Sequence, residues 1–466
     1  MVDRTRRSVI KASGAVLGGI AVGSTAVSAS GGDGDRFIVR TKGNAIPDGV
    51  DVVHEMPGVD LAVVRGDESV LQSSRGVKSY APDPEGELGH GPDIAGEPVN
   101  TRAPSVEEAD VSPDDASVDS GVSTEAVFYP YQWDKQDLNV ADALGKTIGE
   151  GTRVAILDTG VAAGHPDLDV DVGLSRDFTG DGYGAGRPIA GYHGTHVAGI
   201  AGARGRLGTI GTAPGAELVD CRVFSPFVQG SFGDVLAAVV YSAAIDADVA
   251  NLSLGAYPIP RQGLGSFYGK ALNRVMTYAN SRGTLLVVAA GNDAADLQHD
   301  GSYISLPNEG AQGMSISATG PGGFGWDAGP YGGEEPAESP AIYTNYGTNA
   351  VDLGAPGGDF DIEAYEEYYD GDAVAPLWYL DMVLNTVAYP VYDGTDLVDV
   401  EYNWSWVAGT SMAAPQVAGA AALVKSTNPG YNANQIESAL ERAADVPAGY
   451  DKSYYGSGYL NLVDAL

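Results

Sequence analysis

Basic residues are scarce in this sequence. It contains 26 lysine and arginine residues against 62 aspartate and glutamate residues, which gives a formal net charge of −36 at pH 7. Because a surface of this sign repels phosphate, the composition excludes nucleic acid as a partner. The acidic residues are spread along the chain rather than gathered in one tail, as expected of a protein that stays hydrated in concentrated salt. We therefore expect adaptation to high salt, with an acidic protein from an ordinary medium as the alternative.

Cysteine and long apolar runs are scarce as well. The single cysteine, Cys221, excludes an intramolecular disulfide, and its strand-like surroundings favour a buried, inert thiol over a reactive one. After the N-terminal stretch no apolar run is long enough to cross a bilayer, so we expect a protein without a membrane span. With 466 residues, 44% of them hydrophobic, the chain can still bury a large core.

The N-terminus has the form of an export signal. Arg6, Arg7 and Lys11 precede an uncharged stretch at 12–29 that is rich in Ala, Gly and Val. A basic start, a short apolar core and a small-residue exit indicate a signal peptide rather than a membrane span. The paired arginines indicate the twin-arginine export route. We predict that residues 1–29 are removed after Ala29 and that the protein is secreted to the extracellular medium.

Composition divides the remainder of the chain into two parts. Strand-like runs at 36–40 and 59–64, with a helix expected within 67–76, predict a small α+β module. Residues 82–123 are rich in Pro, Gly, Asp and Ser and predict an unstructured linker. We assign 30–124 to this module and its acidic linker, and 125–466 to one larger domain. A cleavable propeptide and an N-terminal domain that stays attached both fit this division.

Strands and helices alternate in the larger domain. The predicted strands lie at 152–157, 218–224, 249–254 and 284–290, and the predicted helices at 193–201, 232–245 and 272–281. This alternation predicts an α/β fold, with a doubly wound parallel sheet and helices on both of its faces.

Polar side chains stand at the ends of two of these elements. Asp158 ends the first strand, where α/β sheets place their sites, although Asp-Thr-Gly is also an ordinary turn. His193 opens a predicted helix and is a candidate base. His196 follows three residues later, but no third ligand and no His-Glu-x-x-His spacing support a metal pair. We expect His196 to be a hydrogen-bonded core residue.

A run of small residues near the C-terminus predicts a buried helix. Pro415 is tolerated in the first turn of a helix, which places Ser411 at or just before the N-terminus of this one. A serine there is either a helix cap or a nucleophile. Gly419 lowers helix stability but allows another backbone to approach closely.

Four blocks of sequence together resemble one family, the subtilisin-like serine proteases or subtilases (peptidase family S8). The blocks are Asp158-Thr-Gly160, His193-Gly-Thr-His196, Ala289-Ala-Gly-Asn292 and Gly409-Thr-Ser-Met-Ala-Ala-Pro415, in the order that the family has. The resemblance covers residues 125–466, and the acidic composition adds a likeness to the secreted halolysin-type members of haloarchaea. It implies a subtilisin-like fold and a serine endopeptidase that cleaves proteins and peptides.

The resemblance also implies roles for individual residues. Ser411 would attack the peptide carbonyl, His193 would take its proton, and Asp158 would orient His193. Asn292 and the Ser411 N–H would stabilise the oxyanion. The substrate backbone would lie along Ser253, Leu254 and Gly255. The pocket for the residue before the scissile bond (P1) would lie between that run and Ala289, Ala290 and Gly291, and we expect broad specificity with apolar P1 residues preferred.

By the same resemblance, the small N-terminal module would be an inhibitory chaperone propeptide, which makes the protein an autoprocessed zymogen. We expect a monomer that needs no cofactor for catalysis. Asp167 matches a calcium-binding aspartate of the family, whereas Arg204 and Arg206 in the partner loop oppose a cation there. The acidic stretch 357–372 is either a solvated loop or a second calcium site. A structural Ca²⁺ ion therefore stays an open expectation.

Two other functions remain to be weighed. A catalytically silent binding protein of the same fold would have no need of the complete set formed by Asp158, His193, Asn292 and Ser411. An esterase of the α/β-hydrolase class is disfavoured because the sequence around Ser411 lacks the Gly-x-Ser-x-Gly elbow and the order of the three residues differs.

Overall fold

The computed structural model of the chain describes residues 35–43, 45–83, 94–95, 126–228, 231–322, 336–360 and 378–466. The predicted signal peptide, most of the predicted linker and most of the acidic stretch 357–372 lie outside these residues. No helix within the described part of the chain has the length and the apolar character that crossing a membrane requires.

The N-terminal module is a four-stranded antiparallel sheet with one helix. Its elements are β1 (Asp35–Thr41), β2 (Asp51–Met56), β3 (Leu61–Gly66), α1 (Glu68–Ser73) and β4 (Val77–Pro82), and the strand order is β2-β3-β1-β4. Asp67 caps α1 by accepting a hydrogen bond from the Ser69 N–H at 2.8 Å. The predicted α+β module is confirmed. β2 and β4 were not predicted, because polar residues interrupt their apolar pattern.

The predicted linker is more ordered at its start than its composition indicates. Pro82 ends β4, and Asp83 is buried. Ile94–Ala95 forms a short strand, β5, which pairs with residues 407–408 just before Ser411. The prediction of an unstructured linker is therefore wrong for these residues, since pairing with partners far along the chain supplies order that composition does not reveal.

The larger domain is built on a seven-stranded sheet in which every pairing is parallel. The strands of the domain are β6 (Arg153–Asp158), β7 (Arg176–Asp177), β8 (Glu217–Arg222), β9 (Val249–Leu252), β10 (Ala256–Pro260), β11 (Leu285–Ala289), β12 (Tyr303–Leu306), β13 (Gly313–Thr319), β14 (Leu353–Pro356), β15 (Val383–Asp393) and β16 (Asp396–Ala408). The order in the main sheet is β14-β13-β11-β9-β6-β8-β7, while β10 pairs with β12 and β15 with β16 in antiparallel fashion. The predicted parallel α/β fold is confirmed.

Helices cover both faces of this sheet. They are α2 (Trp133–Asp137), α3 (Val140–Leu144), α4 (His193–Gly202), α5 (Phe232–Ala244), α6 (Leu264–Arg282), α7 (Thr410–Thr427), α8 (Ala433–Ala443), α9 (Lys452–Tyr455) and α10 (Leu462–Ala465), with 3₁₀ turns at Tyr129–Tyr131 and Trp378–Asp381. Alternate residues of β6 point to opposite faces. Val154 and Ile156 join the core that contains α4 and α7, whereas Ala155 and Leu157 join the core that contains α5 and α6.

The helices α4 and α7 pack in close contact. A Cβ atom on Gly419 would lie 2.6 Å from the Thr212 Cβ and 3.0 Å from the Ala201 carbonyl oxygen. On the other side of α4, a Cβ atom on Gly199 would collide with the side chains of Asn385 and Thr386 in β15. The close approach predicted at Gly419 is confirmed, and α4 is enclosed between α7 and the β15–β16 hairpin.

The N-terminal module docks on α5 through buried charges. Arg36 pairs with Asp83 at 2.8 Å and with Asp234 of α5, and the His54 Nε2 lies 2.7 Å from the Asp234 Oδ1. Asp83 also accepts a hydrogen bond from the Gly233 N–H at 2.8 Å. Burial raises the pKa of Asp83 to about 6, although the Arg36 charge opposes that shift. The module and the larger domain therefore share one buried ionic cluster.

Replacing Gly419 by alanine should lower the free energy of unfolding by about 1–3 kcal/mol, because the added methyl group overlaps Thr212 and the Ala201 carbonyl. Urea unfolding measures this change. Gly269 of α6 provides a matched control, since a Cβ atom there meets nothing within 4 Å. Gly269→Ala should raise stability by about 0.5–1 kcal/mol through helix propensity alone. Equal stabilities of the two variants would contradict the close packing of α4 and α7.

Candidate active site

Asp158 lies at the carboxyl end of β6, an interior strand of the parallel sheet between β9 and β8. Its side chain is fully buried, and its Oδ1 accepts a hydrogen bond from the Thr159 N–H at 2.6 Å. The turn that follows requires glycine, since Gly160 has a φ of +111° and a Cβ atom there would overlap the Arg187 carbonyl oxygen. The local sequence Asp-Thr-Gly therefore fixes the carboxylate at the end of the strand.

His193 is the first residue of α4, and its ring meets Asp158. The His193 Nδ1 lies 2.7 Å from the Asp158 Oδ1. A carboxylate only accepts hydrogen bonds, so Nδ1 carries the proton of the neutral ring and Nε2 is the basic nitrogen. Gly194 permits this approach, because a Cβ atom there would lie 2.7 Å from the Gly160 carbonyl oxygen. The sequence His-Gly thus brings the imidazole against the end of β6.

His196 has the core role expected from the sequence. Its Nε2 lies 3.2 Å from the Val383 carbonyl oxygen and 3.1 Å from the Ser405 carbonyl oxygen, so Nε2 donates and Nδ1 is unprotonated. Burial, with the neighbouring His193 as a smaller cause, lowers the pKa of His196 to about 3. Within the described residues no group of three His, Cys, Asp or Glu side chains is arranged to hold a metal ion.

Ser411 is the second residue of α7. Gly409 occupies the N-cap position, so the interpretation of Ser411 as the helix cap is wrong. Pro415 lies in the second turn rather than the first, and without an N–H it leaves the Ser411 carbonyl without its usual donor. The Ser253 hydroxyl supplies the missing hydrogen bond at 2.8 Å. Ser411 itself is 3% exposed, with its Oγ 3.5 Å from the Ser253 carbonyl oxygen.

Asn292 is tied to the residue before Ser411. Its Oδ1 accepts hydrogen bonds from the Thr410 N–H at 2.9 Å and from the Thr410 hydroxyl at 2.8 Å, and that hydroxyl accepts one from the Gly291 N–H at 3.0 Å. These bonds occupy the Oδ1 of the amide and fix its orientation, so that Oδ1 faces Thr410 and Nδ2 faces away from it. Asn292 and Ser411 are therefore held together at the start of α7, beside the carboxyl end of β11.

The residues predicted to bind substrate follow two neighbouring strands. Ser253, Leu254 and Gly255 come directly after β9. Ala289 ends β11, the parallel neighbour of β9, and Ala290 and Gly291 follow it. Leu254 and Ala290 are buried, whereas Gly255 and Gly291 are half-buried. The two runs therefore present mainly their backbone at the sheet edge where Ser411 lies.

Asn345 organises this edge and was missed in the sequence. Its Oδ1 accepts hydrogen bonds from the N–H groups of Asp293 and Ala295, at 3.0 and 2.9 Å. Its Nδ2 donates to the Ala290 carbonyl oxygen at 2.9 Å. These contacts fasten the loop that carries Asn292. An isolated asparagine more than fifty positions downstream has no local pattern that would reveal this role.

Buried ionic groups lie behind Asp158. Arg222 pairs with Asp158 in the register of β6 and β8, is fully buried, and contacts Asp181 at 2.6 Å and Asp177 at 2.9 Å. Its neighbour Cys221 is buried too, and burial raises the pKa of the Cys221 thiol well above its usual range. The predicted burial of this thiol is confirmed, and a thiol that stays neutral is a poor nucleophile.

With this geometry in hand, comparison with known proteins identifies the family. The family model described as "Subtilase family" matches residues 149–458. The chain belongs to the subtilase family. It is a subtilisin-like serine endopeptidase, which sets it apart from the esterases of the α/β-hydrolase class.

The subtilase resembles several curated proteases. It is 30% identical to an alkaline protease of Alkalihalobacillus alcalophilus over 348 residues, which is 74% of this chain and 71% of the relative. It is 32% identical to subtilisin BL of Lederbergia lenta over 318 residues, or 67% of this chain and 90% of the relative. Another relative, from Xanthomonas campestris, is named an extracellular protease and is 30% identical over 363 residues, 70% of this chain and 52% of that protein.

Solved structures share the fold. An epidermin leader peptide processing serine protease from Staphylococcus aureus superposes with a TM-score of 0.65 at 19% identity, covering 93% of this chain and 98% of that one. A lanthipeptide protease superposes with a TM-score of 0.57 at 25% identity, covering 72% of this chain and 94% of that one. The first of these likenesses extends over the N-terminal module as well as the larger domain.

The surroundings of Asp167 in this subtilase do not fit a calcium ion. Its buried carboxylate accepts hydrogen bonds from the N–H groups of Leu207, Gly208 and Thr209 at 2.6, 2.8 and 3.0 Å, and from the Trp404 Nε1 at 2.9 Å. Calcium requires a shell of oxygen ligands, whereas this carboxylate faces four N–H donors. Asp167 therefore holds the 204–209 loop and β16 directly, in place of the metal-binding role that its sequence position indicated.

Asp167→Asn should lower the free energy of unfolding by about 1.5–3 kcal/mol, since the amide nitrogen would face N–H donors in place of a charged acceptor. Thermal unfolding with CaCl₂ and with EDTA measures both the loss and any calcium dependence. We expect the same calcium-dependent change in Tm in wild type and variant.

Asp169→Asn is the control, because the Asp169 side chain is 54% exposed and its pairing with Arg204 is a surface contact worth less than about 1 kcal/mol. A calcium-dependent stabilisation that wild type has and Asp167→Asn lacks would contradict the hydrogen-bonding role.

Proposed function

We propose that this subtilase hydrolyses peptide bonds with Ser411 as nucleophile, His193 as general base and Asp158 as the residue that orients His193. The observation that carries the proposal is the 2.7 Å contact between the His193 Nδ1 and the Asp158 Oδ1. This contact leaves Nε2 to take a proton, and a serine hydroxyl requires such a base because it is too weakly acidic to attack unaided.

The proposed reaction proceeds in two halves. The Ser411 Oγ attacks the peptide carbonyl carbon while the His193 Nε2 accepts the hydroxyl proton, and the Asp158 carboxylate stabilises the imidazolium that forms. The imidazolium then donates this proton to the leaving amine, and an acyl enzyme remains. Water, deprotonated by His193, attacks the acyl carbon, and Ser411 regains its proton as the acid product leaves.

The developing oxyanion would be stabilised at the start of α7. The Ser411 N–H belongs to the first turn of this helix, where backbone donors have no intrahelical partner and the helix dipole favours negative charge. The bonds from Thr410 to the Asn292 Oδ1 turn the amide so that Nδ2 can donate to the same oxygen. Both donors are held by hydrogen bonds before substrate binds, so little reorganisation is needed.

Substrate would bind as an extended strand along Ser253–Gly255. The P1 pocket would be bounded by that run and by Ala289–Gly291, where small side chains leave space and place no charge. An uncharged pocket with free space favours apolar and aromatic P1 residues over basic ones and gives broad specificity. A monomer presenting one such cleft is sufficient for this activity.

The N-terminal module would serve as a propeptide. Its contacts with α5 through Arg36, His54 and Asp83 support a stable complex with the larger domain, and the predicted linker would supply the cleavage site. Residues 1–29 would direct twin-arginine export. The net charge of −36 supports function in concentrated salt, as in halolysin-type enzymes.

Immunoblots of cells and medium test the triad, the zymogen and the export together. Wild type should reach the medium as a mature protein that hydrolyses casein in concentrated salt, with a serine-directed inhibitor abolishing this activity. Ser411→Ala should be exported equally but remain an uncleaved, inactive precursor, because export does not require catalysis.

Ser426→Ala, near the far end of the same helix, is the matched control and should be processed and active. Processing of Ser411→Ala without added protease would overturn autoprocessing, residual casein hydrolysis would overturn the nucleophile, and retention of wild type in cells would overturn secretion.

Chromogenic peptides that differ only at P1 test specificity, at high and at low salt. We expect kcat/KM for Phe and Leu to exceed that for Lys and Arg by tenfold or more, since burying an unpaired charge is costly. The rate should fall on dialysis into low salt as surface repulsion grows. A preference for Arg or Lys would refute the specificity, and full activity at low salt would refute the salt adaptation.

A further inference from the structure

A charged pair lies in the core beneath the candidate active site. Lys135 and Asp134 of α2 are both fully buried, with the Lys135 Nζ 3.3 Å from the Asp134 Oδ2. Burial lowers the pKa of Lys135, and the Asp134 charge opposes this shift. A buried lysine is costly unless its hydrogens find acceptors, so the acceptors around Nζ indicate what the residue does.

The Lys135 Nζ donates hydrogen bonds to residues of two helices and to Thr212, which packs against α7. It donates to the Ile200 carbonyl oxygen at 3.1 Å, to the Thr212 hydroxyl at 3.0 Å and to the Gln416 Oε1 at 2.5 Å. Ile200 lies in the last turn of α4, the helix that begins with His193. Gln416 lies in the second turn of α7, close behind Ser411. One ammonium group therefore bridges the helices that carry the proposed base and the proposed nucleophile.

Further hydrogen bonds connect these groups into a network. The Gln416 Nε2 donates to the Asp134 Oδ2 at 2.7 Å, and the Thr212 hydroxyl donates to the Gln416 Oε1 at 2.8 Å. The Thr212 N–H also donates to the Ile200 carbonyl oxygen at 2.9 Å. In each of these hydrogen bonds a donor group faces an acceptor atom, so the network contains no contact between two donors or between two acceptors. A cation at the C-terminal end of α4 further interacts favourably with the helix dipole.

The segment that carries Lys135 is fixed from outside the two helices. The Gln132 side chain accepts a hydrogen bond from the Ile210 N–H and donates one to the Ile210 carbonyl oxygen, each at 2.9 Å. The Trp133 Nε1 donates to the Met382 carbonyl oxygen at 2.9 Å, just before β15. Gln132 and Trp133 are thus held by hydrogen bonds, and Asp134 is buried. Lys135, which follows them directly, therefore has little freedom to shift with either helix.

We propose that Lys135 is a positioning residue, whose ammonium group sets the relative placement of α4 and α7 and thereby of His193 and Ser411. The inference rests on the proposed function, because it concerns the alignment of those two residues. Lys135 would act through the helices, because its hydrogen-bond acceptors are Ile200, Thr212 and Gln416.

The geometry explains why a distant contact affects the reaction. At about 1.5 Å per residue, Ile200 lies roughly 10 Å along α4 from His193, and Gln416 roughly 7 Å along α7 from Ser411. Helices are stiff over such lengths, so a displacement at the network is carried to the reacting groups. A misplacement of about 1 Å costs on the order of a hundredfold in rate.

The double variant Asp134→Asn/Lys135→Met tests the proposal without leaving a charge unpaired in the core. We expect kcat to fall roughly tenfold to a hundredfold. KM should stay within about twofold of wild type, since the residues expected to bind substrate are untouched. Peptide hydrolysis is measured per active site titrated with a serine-directed reagent, in concentrated salt, well below the Tm of each variant.

Gln416→Leu is the second variant and keeps the Lys135–Asp134 pair while removing the link to α7. It should also lower kcat with little change in KM. Met276→Ala is the matched control, because Met276 is fully buried in the core on the opposite face of the sheet. It should lose comparable stability, about 2–5 kcal/mol, yet keep the wild-type kcat per titrated site.

Wild-type kcat values in both network variants would overturn the inference while leaving the proposed function intact. An equal loss of kcat in Met276→Ala would also overturn it, since general destabilisation would then account for the effect. If the double variant does not fold, Gln416→Leu decides alone. A wild type without Ser411-dependent hydrolysis would overturn the proposed function and this inference together.

Discussion

The contact between α4 and α7 leaves no free space for a Cβ atom at Gly419, and the elements that enclose the two helices are arranged around that contact. α7 reaches this distance because its residues from Met412 to Val424 are small or apolar, with Gln416 as the one exception. Its one helix-breaking residue, Pro415, is accommodated by the Ser253 hydroxyl. The same hydroxyl ties the start of α7 to the end of β9. The hydrogen bond from the Ser253 hydroxyl, which replaces a backbone N–H that proline lacks, thus links the helix, the sheet and the candidate site.

A second layer of contacts encloses α4 from the outside. The β15–β16 hairpin packs on Gly199, and its Trp404 donates to Asp167, whose carboxylate also holds the 204–209 loop. That loop accepts hydrogen bonds from the N–H groups of Val127 and Phe128, at the entry to the larger domain. The buried Asp167 carboxylate therefore joins the 204–209 loop to the hairpin, and the loop in turn binds the first residues of the domain. The family resemblance had indicated a metal ion at this position.

The parts of the fold that the sequence predicted are those with a local cause. An apolar run ending in Asp158, a helix opening with His193 and a small-residue helix behind Ser411 are each visible within about ten residues. Asn345 and Lys135 received no role from the sequence and Asp167 was assigned to a metal ion, since the partners of all three lie at long distances along the chain. The hairpin was also missed, although its two turn residues, Gly394 and Thr395, form a Gly-X pair typical of two-residue hairpin turns.

The charges of this protein fall into two groups that respond differently to dissolved ions. At molar ionic strength the screening length shrinks to about 3 Å, which suppresses repulsion among exposed carboxylates. The pairs Arg222–Asp181, Lys135–Asp134 and Arg36–Asp83 are inaccessible to solvent ions. Dissolved ions therefore act on the repulsion among surface carboxylates, whereas burial shields these three pairs from direct screening.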